Sequence, residues 1–455
     1  MRAFEKISLK TLQIMKPKNP EKAEPQLELL KTRLENFLNM NHSLIRLSRE
    51  MDWSQFDQEF GQKFDDKRGR PALSTRLMVA LNYLKYTYDL SDEDVVDRFL
   101  GDGYWQYFCG FEYFQHEPPC DSSSMTNWRK RIGEKGAEKL LTETLATAHK
   151  LGLLRKNDCQ RVIVDTTVQE KNVTFPTDSK LIFKAREKLV RLAKERNIVL
   201  RQTYTFKAKH EAHRCSRLLH ARQFNRARTS IKKQKTMLAR VIRDIRRKCE
   251  NPDEKLQEAI KLATKIFLQE RGSENKIYSL HEPHVECISK GKARVPYEFG
   301  NKVSFTVTNK DPWIIGAKSF FGNPFDGATL RGAIEQTEKL TGIRVNEIFV
   351  DKGYRGVKHH PPGKTVLLSG RKNLRPILKK LLRRRSAIEP IIGHAKQDHR
   401  MGRNFLKGKM GDEVNPILAG AAFNMRKILR SFFLFIFCTV PFGSGSDRKV
   451  QFQLA

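Results

Sequence analysis

The stretch "CQRVIVDTTVQ", residues 159–169, decides the fold. In it a Val-Ile-Val run leads into Asp165, which predicts a buried strand that carries one acid at or near its end. A second stretch, "IRVNEIFVDKGYRG" at residues 343–356, repeats the pattern, with an Ile-Phe-Val run before Asp351. Two apolar strands that each end in an aspartate predict a sheet edge with paired carboxylates.

A third acid stands in a strongly basic segment. Residues 371–409 hold thirteen Lys or Arg and only two acids, one of which is Glu389. The electropositive surroundings keep Glu389 ionised. Three acids in the order strand, strand, basic helix would repel one another unless a divalent ion neutralised them, and oxygen-rich clusters with open positions select Mg²⁺ or Mn²⁺. Asp165, Asp351 and Glu389 are therefore the candidate metal ligands.

Each of these acids also has a simpler interpretation. Either aspartate taken alone fits a strand-end turn or cap. "SAIE" fits a capping box in which Glu389 satisfies the Ser386 amide. Pro390 disfavours helical geometry at the glutamate, so that the helix either begins at Ser386 or kinks.

The charge of the chain indicates a polyanionic partner. Its 455 residues carry a formal net charge of +35 and the pI is about 10.0. Residues 178–271 contribute +17 and residues 371–409 contribute +11. Such an excess attracts nucleic acid or an anionic membrane. The longest apolar-rich run, Ser431–Phe442, is shorter than the roughly 20 residues that span a bilayer, so DNA is the expected partner and no membrane association is expected.

The compartment is predicted from the cysteines and the start of the chain. Seven cysteines are scattered singly without a CxxC pair, which is typical of reduced thiols in a cytosolic protein. The first twenty residues contain no continuous apolar run of signal-peptide type. We expect a cytoplasmic protein.

The pattern along the chain predicts four parts. Residues 1–66 form an N-terminal extension and residues 67–155 an all-α, helix-turn-helix-like DNA-binding domain. Residues 156–430 form an α/β catalytic domain with a mixed sheet, interrupted by a basic all-helical insertion at 178–272. Residues 431–455 form a C-terminal tail. Within the α/β part, "VPYEFGNKVSFTVTN" predicts a hairpin that turns near Gly300-Asn301.

Two groups of residues in the N-terminal half are candidates for contacting DNA. Trp128, Arg129 and Arg131 lie in a basic helix that suits a DNA-facing position, although a solvated basic helix with Trp128 in the core fits equally well. Arg68 and Arg70 belong to an Arg-Gly-Arg-Pro arm, which suits a narrow A·T-rich minor groove. The alternative is that the proline simply precedes the next helix.

Together these motifs resemble a known family. "VIVDTTV", "IFVDKGYRG" and "RSAIEPIIGHAKQDHRMGRNFLKG" are similar to the three acidic motifs of bacterial insertion-sequence transposases of the DDE class, in the "insertion sequence five" grouping. The resemblance implies a ribonuclease-H-like catalytic domain with Asp165, Asp351 and Glu389 as its metal-binding triad. It also implies DNA-gripping roles for Arg385 and Lys396. The family's tyrosine position before this arginine is Leu382 here, which removes any aromatic role there.

The expected function follows from the resemblance and the charge. The chain is expected to be a Mg²⁺-dependent transposase, with Mn²⁺ as a possible substitute, that binds the inverted-repeat ends of its own element and joins the freed ends to target DNA. Its partners would be double-stranded DNA and, during synapsis, further copies of itself, in the nucleoid region of a bacterial cytoplasm. Two alternatives are a non-catalytic DNA-binding protein and a nuclease of the same fold without strand transfer.

Overall fold

The computed structural model describes residues 32–61, 72–270, 272–289, 296–371 and 373–439. The helices in these ranges are α1 (Leu34–Phe37), α2 (Ser43–Glu50), α3 (Ser54–Gly61), α4 (Thr75–Thr87), α5 (Asp92–Gly101), α6 (Gly103–Phe108), α7 (Ser122–Lys150), α8 (Asp178–Glu195), α9 (Thr205–His220), α10 (Phe224–Lys248), α11 (Glu254–Leu268), α12 (Asp326–Thr341), α13 (Pro376–Arg383), α14 (Ile388–Asp398) and α15 (Gly408–Thr439). The strands are β1 (Arg161–Lys171), β2 (Glu286–Ser289), β3 (Tyr297–Thr308), β4 (Ile314–Phe320), β5 (Glu347–Val350), β6 (Thr365–Leu368) and β7 (Arg403–Asn404).

The seven strands form one mixed sheet. The strand β3 is antiparallel to β1, β2 and β4, whereas β1 is parallel to β5, and β5 is parallel to β6. The main order is therefore β2-β3-β1-β5-β6, with β4 paired to β3 and β7 paired to β1. The predicted α/β domain with a mixed sheet is confirmed at this level. The strand that carries Asp165 lies in the middle of the sheet.

The hairpin predicted near Gly300 is wrong. Residues 297–308 form one continuous strand, β3, and Gly300 pairs with Glu170 of β1. A Cβ atom at position 300 would lie only 1.8 Å from the carbonyl oxygen of Gln169. The glycine therefore permits the close approach of two backbones, a role that glycine also has in strands, and not a turn.

The N-terminal helices and the sheet share one hydrophobic core. Its buried side chains run from Leu44 in α2 through the sheet to Phe432 in α15. The helix α15 packs closely against β4, because a Cβ atom at Gly420 would lie 2.8 Å from Ile314 Cγ2. Among the described helices, none combines the length and the apolar character needed to cross a membrane.

The helical insertion has a second core of its own. The helices α8, α10 and α11 supply most of it, with Leu189, Leu238 and Leu256 among its buried members. Leu189 belongs to an apolar stripe at helical spacing, and the elements of residues 178–270 are the helices α8–α11. The fourth helix, α9, packs mainly on α10.

A buried polar cluster joins the insertion to the sheet. Lys171, the last residue of β1, lies 2.6 Å from Asp412 of α15 and 3.5 Å from Glu282, and all three side chains are less than 5% exposed. His284 lies 2.7 Å from the same Asp412 carboxylate. The cluster thus ties the start of the insertion at β1 to the segment where the chain returns to the sheet.

Replacing Asp412 by Asn should destabilise the first core by roughly 3 kcal/mol, since removing one partner of a buried ion pair leaves an uncompensated charge. We place the loss at the low end of the usual range because Glu282 stays near Lys171. All four tryptophans lie outside the insertion. Tryptophan fluorescence during urea unfolding therefore reports on the first core alone.

The matched control is Glu59→Gln. Glu59 lies 3.2 Å from Lys139, and both side chains are more than 40% exposed. An exposed ion pair contributes less than about 1 kcal/mol. Equal urea midpoints for the two variants would contradict a structural role for the buried cluster.

Candidate active site

Two aspartates lie side by side because of strand register. Asp351 directly follows β5, whereas Asp165 is the fifth of the eleven residues of β1, so its predicted position at or near the end of a strand is wrong. Ile163 of β1 pairs with Phe349 of β5 in parallel, and each aspartate follows two residues further along the chain. Alternate residues of a strand face the same side of a sheet. The structure therefore brings Asp165 and Asp351 together, as predicted for two of the three acids.

The Asp165 carboxyl is mostly enclosed, with 19% of its side chain exposed. Burial, and after it the negative charge of Asp351, raises the pKa of Asp165 from 3.8 to about 6. The Thr166 amide donates to Asp165 Oδ1 at 2.8 Å, and Arg385 lies 3.7 Å from Oδ2. Both contacts favour the ionised form, so that the pKa would be higher without them.

Asp351 is held by the turn that follows β5. Its Oδ1 accepts a hydrogen bond from the Gly353 amide at 2.8 Å. A Cβ atom at Gly353 would lie 3.0 Å from Asp351 Oδ1 and 3.1 Å from Asp326 Oδ2. The glycine therefore leaves a small space that both carboxylates face.

Asp326 is an acid of this site that the sequence reasoning missed. It is the first residue of α12, and its Oδ1 accepts hydrogen bonds from Thr166 Oγ1 at 2.8 Å and from Lys302 Nζ at 2.9 Å. Acidic residues are common in the first turn of any helix. The sequence signal, an aspartate at a helix start, was therefore too common to single it out.

Tyr354 places a buried phenol next to these carboxylates. Its side chain is fully buried, and its hydroxyl has no hydrogen bond to another described residue within ordinary geometry, although Thr166 is a close neighbour. Burial, followed by the charges of Asp165, Asp326 and Asp351, raises the pKa of Tyr354 well above its usual value. The phenol stays protonated and keeps a donor beside the acids.

Arg385 connects the third predicted acid to the other two. It lies in a short 3-10 segment between α13 and α14, with its guanidinium 3.7 Å from Asp165 and 3.3 Å from Glu389. The Glu389 side chain is 63% exposed, compared with 20% for Arg385. The structure therefore links Glu389 to the aspartates through a cation and not directly.

The helix that carries Glu389 begins just before it. The helix α14 starts at Ile388 and includes Pro390 in its first turn, where a proline is tolerated. No side chain caps α14, and the Ser386 hydroxyl donates to Arg383, so the alternative capping box is not formed. Lys396 is half-buried and lies two turns beyond Glu389 on the same helix face.

The donor chemistry of the site suits a hard divalent cation. Asp165, Asp351 and Asp326 offer carboxylate oxygens, the ligand type that Mg²⁺ and Mn²⁺ prefer. Within the described ranges, no three or more Asp, Glu, His or Cys side chains converge closely enough to hold a metal ion. Since Arg385 lies between Asp165 and Glu389, these two acids must rearrange before they can share an ion.

The predicted DNA-facing residues of the N-terminal half are placed differently from each other. Arg68 and Arg70 lie outside the described residues. Trp128 and Arg129 are 4% and 2% exposed, which corrects the prediction that they face DNA and favours the core position considered for Trp128. Arg131 is half-buried.

Arg129 is buried because it forms an ion pair with Asp92. Its guanidinium lies 2.5 Å from Asp92, which Lys85 also contacts at 2.6 Å. Asp92 begins α5 immediately after Ser91, which forms a capping box with Asp94. Arg129 thus lies in a run of basic residues, but its position is decided by Asp92, which is 37 residues away in the chain.

Comparison with known proteins gives one family and one relative. Residues 32–131, which include Trp128, Arg129 and Arg131, match the family model of a transposase domain, DUF772. The chain is 50% identical over 210 residues to the "Uncharacterized protein ORF8 in nfe locus" of Rhizobium meliloti. The aligned part is 46% of this chain and 100% of that protein. No solved structure matches the chain.

The raised pKa of Asp165 predicts a pH-dependent loss of stability. A carboxyl whose pKa is higher in the folded than in the unfolded chain favours folding below its unfolded pKa and loses that benefit as pH rises through the folded value. Between pH 3.8 and about 6, the wild type should therefore lose stability relative to Asp165→Asn, and the difference should level off above that window. Urea unfolding followed by tryptophan fluorescence measures it.

Two further variants test the sign of each contribution. Asp351→Asn removes a like charge and lowers the pKa of Asp165, so the pH range over which stability is lost should end at a lower pH. Arg385→Gln removes a cation that favours the ionised carboxylate and so raises the pKa of Asp165, and the pH range over which stability is lost should extend to a higher pH. A stability difference between wild type and Asp165→Asn that does not change with pH would show that the Asp165 carboxyl is not perturbed by its surroundings.

Proposed function

The chain belongs to the family of the Rhizobium meliloti ORF8 protein and carries a transposase domain, and from this premise we propose that it is a DNA transposase of the DDE class. It binds the inverted-repeat ends of its own insertion sequence, cleaves phosphodiester bonds there and joins the freed 3′-hydroxyls to target DNA. The observation that carries the proposal is the pair of neighbouring carboxylates that the parallel strands β1 and β5 bring together, Asp165 within β1 and Asp351 directly after β5.

The architecture supports a catalytic domain of ribonuclease-H-like type. A mixed sheet has one acid on its central strand, a second after the parallel neighbour and a third on a later basic helix. That is the order which the resemblance to insertion-sequence transposases implies. The helical insertion lies between the first acid and the second without separating them in space.

Asp165, Asp351 and Glu389 are the residues that would hold Mg²⁺, or Mn²⁺ in its place. Divalent ions in such a centre activate an attacking oxygen and stabilise a leaving one during phosphoryl displacement. Asp326 keeps its Oδ2 toward the same space while Thr166 and Lys302 occupy its other oxygen. Asp326 therefore adds negative charge to the centre and holds the middle of β1 at Thr166.

Arg385 serves two states of the centre. In the structure its guanidinium compensates the charges of Asp165 and Glu389. A planar guanidinium also binds phosphate through two parallel hydrogen bonds. With DNA bound, Arg385 would turn from the acids to a phosphate next to the scissile bond, and Lys396 would contact the same backbone further along α14.

The remaining assignments concern recognition and assembly. The helical region 67–155 would recognise the inverted repeats, through Arg131 and the arm that holds Arg68 and Arg70. Synapsis of two ends requires at least two protein copies, so a homo-oligomer would form on double-stranded DNA. The protein would act in the bacterial cytoplasm at the nucleoid.

Purified protein should nick and join DNA that carries the element's ends, in the presence of Mg²⁺ and an unlinked target. Asp351→Asn should reduce nicking by more than about 100-fold, a typical loss when a catalytic group is removed. Its affinity for the same DNA should be unchanged or higher, because one negative charge is lost. Gel analysis of nicked and joined products measures the reaction.

Asp178→Asn is the matched control, because Asp178 is an exposed aspartate at the start of α8. It should nick like the wild type. Binding of the ends without nicking by the wild type would indicate a non-catalytic DNA-binding protein. Nicking without joined product would favour a nuclease of the same fold.

A further inference from the structure

The positive charge of the insertion is concentrated in one half of it. Residues 197–243 hold thirteen Lys or Arg and a single acid, Glu211. The rest of the insertion, residues 178–196 and 244–271, holds fourteen Lys or Arg and nine acids. The composition therefore separates a nearly pure cationic segment from a mixed one. We call residues 197–243 the basic arm.

The fold turns this composition into a surface without carboxylates. The basic arm consists of α9 and most of α10, which pack as a helical pair joined at residues 221–223. Twelve of its thirteen basic residues are exposed, and Lys235 is half-buried. Glu211 is only 7% exposed, since it lies between the two helices. The basic side chains of the arm are therefore exposed to solvent, whereas its single acidic side chain is buried.

These cations are left uncompensated by the protein. Among the described residues, Arg214 is the one basic side chain of the arm with a carboxylate within 4.0 Å, at 3.9 Å from Glu211. The mixed half differs, since Arg196 lies 2.5 Å from Asp253 and Arg191 lies 3.7 Å from Glu195. Like charges gathered on one surface oppose folding, so the arm is built for an external anion.

The packing of the arm is light, and it has no apolar face. The helix α9 is held by small buried residues, Ala208 and Cys215, beside Ala227 of α10. The fully buried members of the second core come from α8, α11 and the later part of α10. Large apolar side chains exposed on the arm are single residues, Phe206 and Phe224 among them. Binding in a membrane surface requires a continuous apolar face, so a nucleic acid fits better.

Resting on the function proposed above, we propose that the basic arm grips duplex DNA along its phosphate backbone, without reading its sequence. Lys and Arg side chains are the usual partners of phosphate oxygens and carry no base information there. The sixteen residues of α9 extend about 24 Å. Duplex DNA carries one negative charge per roughly 1.7 Å of its axis, so this length faces many phosphates at once.

The test compares two matched sets of four substitutions in the full chain. The arm set is Lys207, Lys209, Lys232 and Lys233→Gln. The control set is Lys194, Lys255, Lys261 and Lys265→Gln in the mixed half. All eight lysines are exposed, and both sets remove the same charge. Affinity for a 30-base-pair duplex without element ends is measured by fluorescence anisotropy over a series of salt concentrations.

The arm set should weaken duplex binding by more than tenfold at 0.1 M salt and reduce the slope of log K against log salt by about 2 to 4, since each phosphate contact contributes about 0.9. The control set should change the slope by less than about 1. Slowed amide hydrogen exchange at 205–243 on DNA binding should accompany the contact. Both variants should keep the wild-type circular dichroism spectrum.

Equal losses from the two sets would overturn the inference, because binding would then follow total charge. Unchanged affinity of the arm set would overturn it as well. If the arm set loses helix, a second arm set, Arg217, Arg222, Arg226 and Arg228→Gln, decides by the same criteria. Nicking of element ends by the wild type is measured separately. If the arm set binds DNA like the wild type and the wild type nicks, only the role of the basic arm is rejected. If the arm set weakens binding as expected and the wild type does not nick, only the proposed enzymatic activity is rejected.

Discussion

The parallel pairing of β1 with β5 is the constraint on which the candidate site depends. That register sets Asp165 and Asp351 next to each other in a partly buried position. Burial, and after it the negative charge of Asp351, disfavours the ionised form of Asp165 and raises its pKa. A fold that served stability alone would avoid this arrangement, so the strained pair is the strongest structural indication of chemistry.

The protein balances this negative charge with cations from separate elements. Arg385 reaches Asp165 from the segment before α14, and Lys302 reaches Asp326 from β3. Neither cation is adjacent in sequence to the acid that it meets. Arg385 also contacts the exposed Glu389, so that one guanidinium compensates two of the three predicted acids.

The sequence predicted those features of the structure that depend on residues close together in the chain. The apolar runs before Asp165 and Asp351, which predicted β1 and β5, depend on neighbouring residues alone. Their prediction therefore needs no knowledge of the fold. The adjacency of the two aspartates was expected from two strand ends, whereas it comes from the register of β1 with β5, well before the end of β1.

Features that depend on distant partners were missed for an equally physical reason. Asp326 belongs to the site only because β1 and β3 pair and bring Thr166 and Lys302 to the start of α12. Arg129 is internal because Asp92 accepts it, and Gly300 lies within a strand because the backbone at Gln169 passes close to it. No window of sequence around any of these residues contains its partner.

The same partner dependence links the insertion to the site. Lys171 ends the strand that carries Asp165, about 20 Å further along at the usual rise per residue, and its buried contacts with Asp412 and Glu282 hold both ends of the insertion. The segments that flank the insertion are therefore anchored on the strand that carries the first acid, so that the insertion and the carboxylates share one structural support.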